Sequence, residues 1–526
     1  MQNEMVWAAM DPFVTYLIFN NFPLTEKNIC VKIKMNIYNI KEAKMMENRT
    51  STQNIVFDAF PKKVLEQSKA ATKLKPSSQL ARRYDLRGRT VLTFGETAQS
   101  TAETAISLYK DAGGWHLGLH IADVAEYVCV GSPLDIEAVR RNAAINNGYL
   151  KSDMLPDDIT KDICNLVSGS DRLCVSVLLD IDNDGNLNSI KIDESVIRVA
   201  EKCIFNEIDQ IGFVNEASSI MALREKYRPY TAILADMYEL AAIFCNRRRN
   251  NGALDCSVYR KIYNRDENGK IVSFRFETEP DSRAMVREIG YFAAEAIGNY
   301  MFQKKMPCIY IGQSGLPNDE LDYLENLLKI ESAGGSNDKR TVEIAEIAKG
   351  SEYYEFVCDL MRNRLPRATY SDQPVFNLHC ASDKVVSFVR PATRYTDILT
   401  QRAMKLFIAA SGDPKNLNIN RVRQQIAESV ESANTAEGFI HKALNNFYKM
   451  AAAEYIESSG DTIYYGFPLK KEENGNILIV LLCGAFAYLP AEYVNDSLET
   501  GKLLAFEIIS AGNEETPCIV KPANEA

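Results

Sequence analysis

The residues able to grip a phosphate or ligate a metal fall in a few clusters of this sequence. Arginines crowd at Arg82-Arg83-Tyr84-Asp85-Leu86-Arg87-Gly88-Arg89, at Arg247-Arg248-Arg249, and at Arg362, Arg364 and Arg367. A guanidinium chelates phosphate oxygens through paired N–H donors, so such runs suit nucleic acid, although a solvated face uses the same composition. The 526-residue chain has a formal net charge of -10, which excludes a protein that coats nucleic acid over its whole surface. Any RNA contact is thereby confined to a local groove. The twelve cysteines include no C-x-x-C pair, and His116, His120, His379 and His441 lie too far from cysteines to suggest zinc. Reduced, buried thiols in a cytoplasmic protein are the expectation.

The elements that must position these groups follow from pattern. Residues 1 to about 55 mix short apolar and polar stretches, and the opening Met5-Val6-Trp7-Ala8-Ala9-Met10 is cut by Asp11 and Pro12 with no basic flank, against a signal peptide. Glu47 to Asn54 reads as a linker. From Pro61 a short helix is predicted, then strands at Val91 to Phe94 and Trp115 to Val130. Leu173 to Ile181 is a strand turned by Asp182-Asn183-Asp184-Gly185. Tyr230 to Arg249, Ser282 to Lys304 and Ile419 to Ile456 have helical periodicity. After Gly460 short strands return, split at Glu472-Glu473-Asn474-Gly475 and at Pro490, enough for a small five-stranded barrel. The run Ile477 to Leu489 is too short to span a bilayer, so no membrane is expected.

Between about residues 58 and 450 an ordered series of landmarks resembles the ribonuclease II / ribonuclease R (RNB) exoribonuclease family. It runs from Arg83-Tyr84-Asp85-Leu86-Arg87 through His120-Ile121-Ala122-Asp123-Val124, Gly131-Ser132-Pro133-Leu134-Asp135, Met154-Leu155-Pro156 and Asp171-Arg172-Leu173. Arg249 with Gly252-Ala253-Leu254-Asp255 continues it, then Thr278-Glu279-Pro280 with Glu288 and Glu295, and lastly Pro391, Arg394, Tyr395, Asp397 and Arg402. The resemblance implies an α+β RNB catalytic-domain fold over residues 56–450, followed by a C-terminal OB-like small β-barrel over 455–526. Residues 1–55 form a divergent N-terminal segment.

The resemblance also implies where the chemistry would be. Two-metal hydrolysis needs several carboxylates converging on paired Mg²⁺ ions. The family carries them in a T-I-D-x5-D-x-D-D-A segment, which here is Thr93 to Ala105, so the four aspartate positions are Gly95, Thr101, Glu103 and Thr104. The family's catalytic arginine is Thr393, and the aromatic that stacks a base falls near Asn146, with Tyr149 out of register. Glu103 alone keeps a carboxylate and is the one residue that could hold a metal. The expectation is therefore a pseudo-nuclease that binds single-stranded RNA through Arg87, Arg249, Arg394 and Tyr395, with no cofactor, and Mg²⁺ only if activity remains. Two other readings stay open: a divergent 3′→5′ exoribonuclease in which Glu96, Asp85 or Asp123 joins Glu103, and a protein-interaction scaffold with unassigned partners.

Overall fold

Strands rich in Val, Ile and Leu pair into a seven-stranded sheet that carries the rest of the molecule. The computed structural model describes residues 59–146, 151–211, 218–256, 259–330, 334–351, 354–412, 419–494, 498, 502–512 and 518–523. The expectations for residues 1–55 and Tyr149 lie outside the described residues. Phe57–Ala526 makes one compact unit.

Helix α1 (Lys62–Ala71) begins directly after Pro61, as predicted. The sheet is built from β1 (Tyr84–Asp85), β2 (Leu92–Gly95), β3 (Thr104–Asp111), β4 (Gly114–Ala122), β7 (Asp171–Ile181), β8 (Leu187–Arg198) and β9 (Glu201–Ile204). A two-strand hairpin, β5 (Ile145–Asn146) with β6 (Lys151–Ser152), stands apart from it. The sheet order is β1-β8-β7-β4-β3-β2-β9. The interior pairs are antiparallel, whereas β1 runs parallel to β8 and β9 parallel to β2. The β7–β8 turn needs Gly185, whose φ of 83° favours glycine, while Asp182 Oδ1 accepts the amides of Asp184 and Asn186 at 3.0 and 2.8 Å.

The predicted alternation from Trp115 to Val130 is corrected by the structure. Strand β4 is buried on both faces and stops at Ala122, because Asp123 accepts the Glu126 amide at 3.1 Å and caps a single helical turn, Val124–Tyr127. On one face of the sheet Leu117, Leu119, Ile121, Val175 and Val177 pack against α3 (Thr231–Asn250) and α4 (Asp281–Gln303). On the other, Ala105, Ala122, Leu173 and Val196 lie beneath α2 (Pro133–Arg141), α5 (Tyr395–Ala409) and the first part of α6 (Ile419–Ser458). His120 sits within this core, 2.9 Å from Ser107 and 2.7 Å from Ser176, and burial with the Arg89 charge pushes its pKa down to about 3.

Between the sheet and the C-terminus lie two further strand pairs, β10 (Tyr259–Arg265) with β11 (Ile271–Thr278), and β12 (Tyr310–Gly312) with β13 (Thr369–Ser371). Strands β14 (Ile463–Lys471), β15 (Ile477–Leu481), β16 (Phe486–Leu489), β17 (Leu504–Ser510) and β18 (Cys518–Pro522) close a barrel in the order β14-β15-β16-β18-β17. The barrel core is plugged by Tyr263 and Ile271 from the β10–β11 hairpin and by Ala451, Ala452, Tyr455 and Ile456 from the end of α6. The fold is α+β, with a closed five-stranded barrel at its C-terminus. Among the described residues no helix is long and apolar enough to cross a membrane.

Sheet and α5 are joined by five charges. Arg83 Nη2 lies 2.7 Å from Asp123, 3.0 Å from Glu126 and 3.3 Å from Glu194. Lys405, on α5, reaches the same three carboxylates at 2.6, 2.8 and 2.7 Å. Removing one cation leaves buried carboxylates uncompensated, at a cost of about 3–5 kcal/mol. Arg83→Met is therefore expected to lower the unfolding free energy by an amount in that range in urea denaturation. A change under about 1 kcal/mol would show that the cluster does not hold the sheet to α5.

Candidate functional site

The site forms where the link between β2 and β3 meets the segment leading into α5. That segment is held in place from behind. The Gln401 side chain donates to Ala122 O at 2.8 Å and accepts from Ala125 N at 2.9 Å, while Arg402 binds Asp135 at 2.7 Å. In front of α5, Asp397 accepts the Arg390 amide at 2.7 Å and the Ser387 hydroxyl. The amides of Thr393 and Arg394 both turn back onto Arg390 O, at 3.1 and 2.8 Å, so Arg390 and Arg394 stand one turn apart.

Thr104 opens β3 and its hydroxyl donates to Val389 O at 2.7 Å. Glu103 precedes it, and its carboxylate accepts the Ala392 amide at 2.5 Å and the Thr393 hydroxyl at 2.9 Å. Burial raises the Glu103 pKa to about 7, against the pull of those two donors and of the Arg390 charge. Gly95 ends β2 opposite Ile204 of β9, and Thr101 is exposed on the link between the two strands. The structure thus brings Glu103, Thr104, Thr393 and Arg394 together, with Gly95 and Thr101 at either end of the same link.

The other candidates are placed differently. Arg87 is engaged by Asp85 at 2.7 Å and Asp171 at 3.1 Å, and Arg249 by Asp255 at 2.5 Å. Asp85 and Asp123 are likewise taken up by arginine or lysine, and exposed Glu96 pairs with Arg283. Tyr395 is corrected as an RNA contact: it is only 6% exposed, and its hydroxyl donates to Asp135 at 3.1 Å and accepts from Arg402 at 3.2 Å. Its ring packs in the core and has no free face for a base. The neighbouring Arg248, not Arg249, is the buried arginine of its landmark, bidentate to Glu288 at 2.8 and 2.8 Å.

Sequence reading missed Arg390 and Arg283. Arg390 is exposed, yet the surrounding protein and the Arg394 charge depress its pKa. Arg283, in the first turn of α4, packs over Phe205 at 5.1 Å, and burial and Arg390 lower its pKa. The Arg390-x-x-x-Arg394 spacing was the available signal for the first. Nothing local pointed to the second.

These donors do not fit a magnesium pair. Gly95, Thr101 and Thr104 bring no charge, and both Glu103 oxygens already accept protein hydrogen bonds. Among the described residues the group of acids close enough to share an ion is Asp123, Glu126 and Glu194, whose oxygens face Arg83 and Lys405.

A family model described as the RNB domain matches residues 83–410. Ribonuclease R of Thermotoga maritima is 26% identical over 404 residues, covering 76% of this chain and 56% of its own length. Ribonuclease R 1 of Lactococcus lactis is 25% identical over 418 residues, covering 78% of this chain and 50% of its own length. The chain therefore spans about half the length of these curated relatives. Among solved structures, Mycoplasma genitalium RNase R in complex with ribose-methylated single-stranded RNA superposes with a TM-score of 0.75 at 18% identity, over 90% of this chain and 77% of that one. Yeast Ssd1, a pseudonuclease, superposes with a TM-score of 0.60 at 15% identity, over 82% of this chain and 52% of that one. At these identities the likeness establishes the fold.

The environment of Glu103 has a measurable consequence. Its pKa of about 7 stands above an ordinary glutamate value near 4.5, so the folded state keeps the proton longer than the unfolded chain. That stabilising contribution is complete below pH 4.5 and is lost as pH rises through about 7. Glu103→Gln removes the dependence. Its stability relative to the parent should rise by roughly 3 kcal/mol between pH 4.5 and 8 in urea titrations. A difference that stays constant across that range would mean that Glu103 titrates normally.

Proposed function

The chain belongs to the RNB-domain family, and on that footing we propose that it binds single-stranded RNA without hydrolysing it. The observation that carries this reading is Glu103. It is the sole carboxylate at the four family metal positions, and it is held by Ala392 N and Thr393 Oγ1 at 2.5 and 2.9 Å. A carboxylate engaged in this way, with Gly95, Thr101 and Thr104 around it, supplies too little negative charge to offset the dehydration of two Mg²⁺ ions. The missing arginine at Thr393 removes a preorganised cation whose loss costs roughly 10²–10³ in rate in comparable sites. No cofactor enters this reading.

RNA as the ligand is supported by the RNase R complex with single-stranded RNA, a property of that protein which fits the cationic lining here. Arg394 is the central contact in this reading, with Arg87 and Arg249 at the periphery. On the barrel, Tyr465 of β14 is 53% exposed and offers a face for a base, where stacking is worth about 1–3 kcal/mol. The reading places the chain in the cytoplasm, consistent with free thiols at every described cysteine.

A gel shift with the full chain and a single-stranded oligoribonucleotide tests it. Binding should weaken steeply between low and high salt, because phosphate contacts release counterions. No shortening from the 3′ end should occur with Mg²⁺ or Mn²⁺. Metal-dependent degradation that disappears in Glu103→Ala would replace this reading with that of a divergent exoribonuclease, and no binding at any salt would leave the scaffold reading.

Repair is the complementary test. Asp at 95, 101, 103 and 104 together with Arg at 393 should restore some 3′→5′ decay, whereas partial sets should do little because ligands of one metal cluster act as a unit. A β-carbon at Gly95 would meet Ser100 Oγ at 2.7 Å and Lys202 Cε at 3.1 Å, so Gly95→Asp needs both side chains to move. A full set no more active than the parent would show that more than these five positions has diverged.

A further inference from the structure

We propose that Arg390 and Arg394, flanked by Arg283, form a metal-independent cradle for one phosphodiester of single-stranded RNA, in the place where the family positions metal ligands. The inference rests on the RNA-binding reading above and names the groups that would do the holding.

Its first support is a contrast in how this molecule treats arginine. Arg83, Arg87, Arg248, Arg340 and Arg402 each lie against at least one carboxylate at 2.6–2.8 Å. Among the described residues, neither Arg390 nor Arg394 has a side-chain hydrogen bond or ion pair, whereas Arg283 beside them is paired with Glu96. An enclosed cation without a partner is costly, so protein interiors normally supply one. Here the carboxylates whose charge favours Arg394, among them Asp397, Glu103 and Glu437, are hydrogen-bonded to other groups, Glu437 to the Tyr370 hydroxyl at 3.2 Å. Asp397 is taken by Ser387 and the Arg390 amide, Glu96 by Arg283, and Glu103 by Ala392 and Thr393.

The second support is geometry. Arg390 and Arg394 issue from one backbone turn, fixed by the 2.8 Å bond from Arg394 N to Arg390 O. Arg283 approaches from α4, a different element, and is steadied over Phe205. Arg390 is open to solvent, so a ligand can reach its guanidinium. Planar guanidinium forks match the oxygens of a phosphodiester, which carries one negative charge and forms charge-assisted hydrogen bonds with such groups. A carboxylate-bound metal pair stabilises charge that develops during bond cleavage. Fixed arginines instead hold a phosphate in its ground state and activate no water.

Fluorescence anisotropy with a 5′-labelled oligoribonucleotide and the full chain decides the matter. Parent affinity should be unchanged by EDTA. Arg390→Gln and Arg394→Gln should each weaken binding by about tenfold or more, and Arg390→Lys should recover part of that loss because it keeps the charge. Each lost phosphate contact should also reduce the slope of log affinity against log salt by about 0.7. Thermal unfolding monitored in parallel identifies any variant that loses its fold, and the charge-keeping Arg390→Lys remains informative in that case. If the parent binds RNA while both glutamine variants bind equally well, or if EDTA abolishes binding, the cradle is wrong and the broader RNA reading survives. If the parent binds no RNA, both fall.

Discussion

The five-charge cluster of Arg83, Asp123, Glu126, Glu194 and Lys405 is the constraint on which the arrangement of the site depends. It gathers the segment before β1, the cap after β4, strand β8 and helix α5 at one point, with distances of 2.6–3.3 Å. Helix α5 could otherwise slide over the sheet, since its buried Ile398, Leu399 and Ala403 form a non-directional apolar contact. Once Lys405 and Gln401 fix its register, the turn from Ser387 to Arg394 has to hang over the start of β3. The bonds from Thr104 to Val389 and from Ala392 and Thr393 to Glu103 follow from that placement.

The charge at the site differs in kind from that of a two-metal centre. A two-metal centre sets negative side chains around positive ions that are not part of the chain. Here the positive charge belongs to the protein, on Arg390 and Arg394, beside an Arg283 that is paired with Glu96. The remaining carboxylate is buried strongly enough to titrate near 7 and so contributes only part of a negative charge at neutral pH. In the proposed reading such an arrangement attracts an anionic backbone without the ions that would cut it.

The C-terminal barrel is integrated with the rest of the unit through apolar packing. Tyr263 donates its hydroxyl to Cys483 O at 2.5 Å, and the last turns of α6 fill the barrel end. The 40-residue α6 therefore runs from beneath the sheet, where Ile426 and Ala433 are buried, to the barrel, where Tyr455 and Ile456 are buried. One helix with apolar faces at both ends gives a mechanical link between them.

Much of this was legible in the amino-acid sequence, because helices, strands and turns depend on local periodicity and local backbone chemistry. The helices at 231–250, 281–303 and 419–458, the Asp182–Gly185 turn and the five strands of the barrel all follow from patterns within a few residues of each other. The uncharged types of Gly95, Thr101 and Thr104 were equally legible, since a residue's type needs no structure to be known. Pairing was not. Whether an arginine faces solvent, a carboxylate or a groove depends on residues far away in the chain. That is why Arg87 and Arg249 proved to be engaged by acids, and Tyr395 proved to be a core residue tied to Asp135, 260 positions away. Arg390 gained its interest only in three dimensions, where Glu103, 287 positions earlier by residue number, lies close enough for the two charges to act on each other. Long-range electrostatics and burial are properties of the assembled fold, and only tertiary structure could decide which cations were left without a partner.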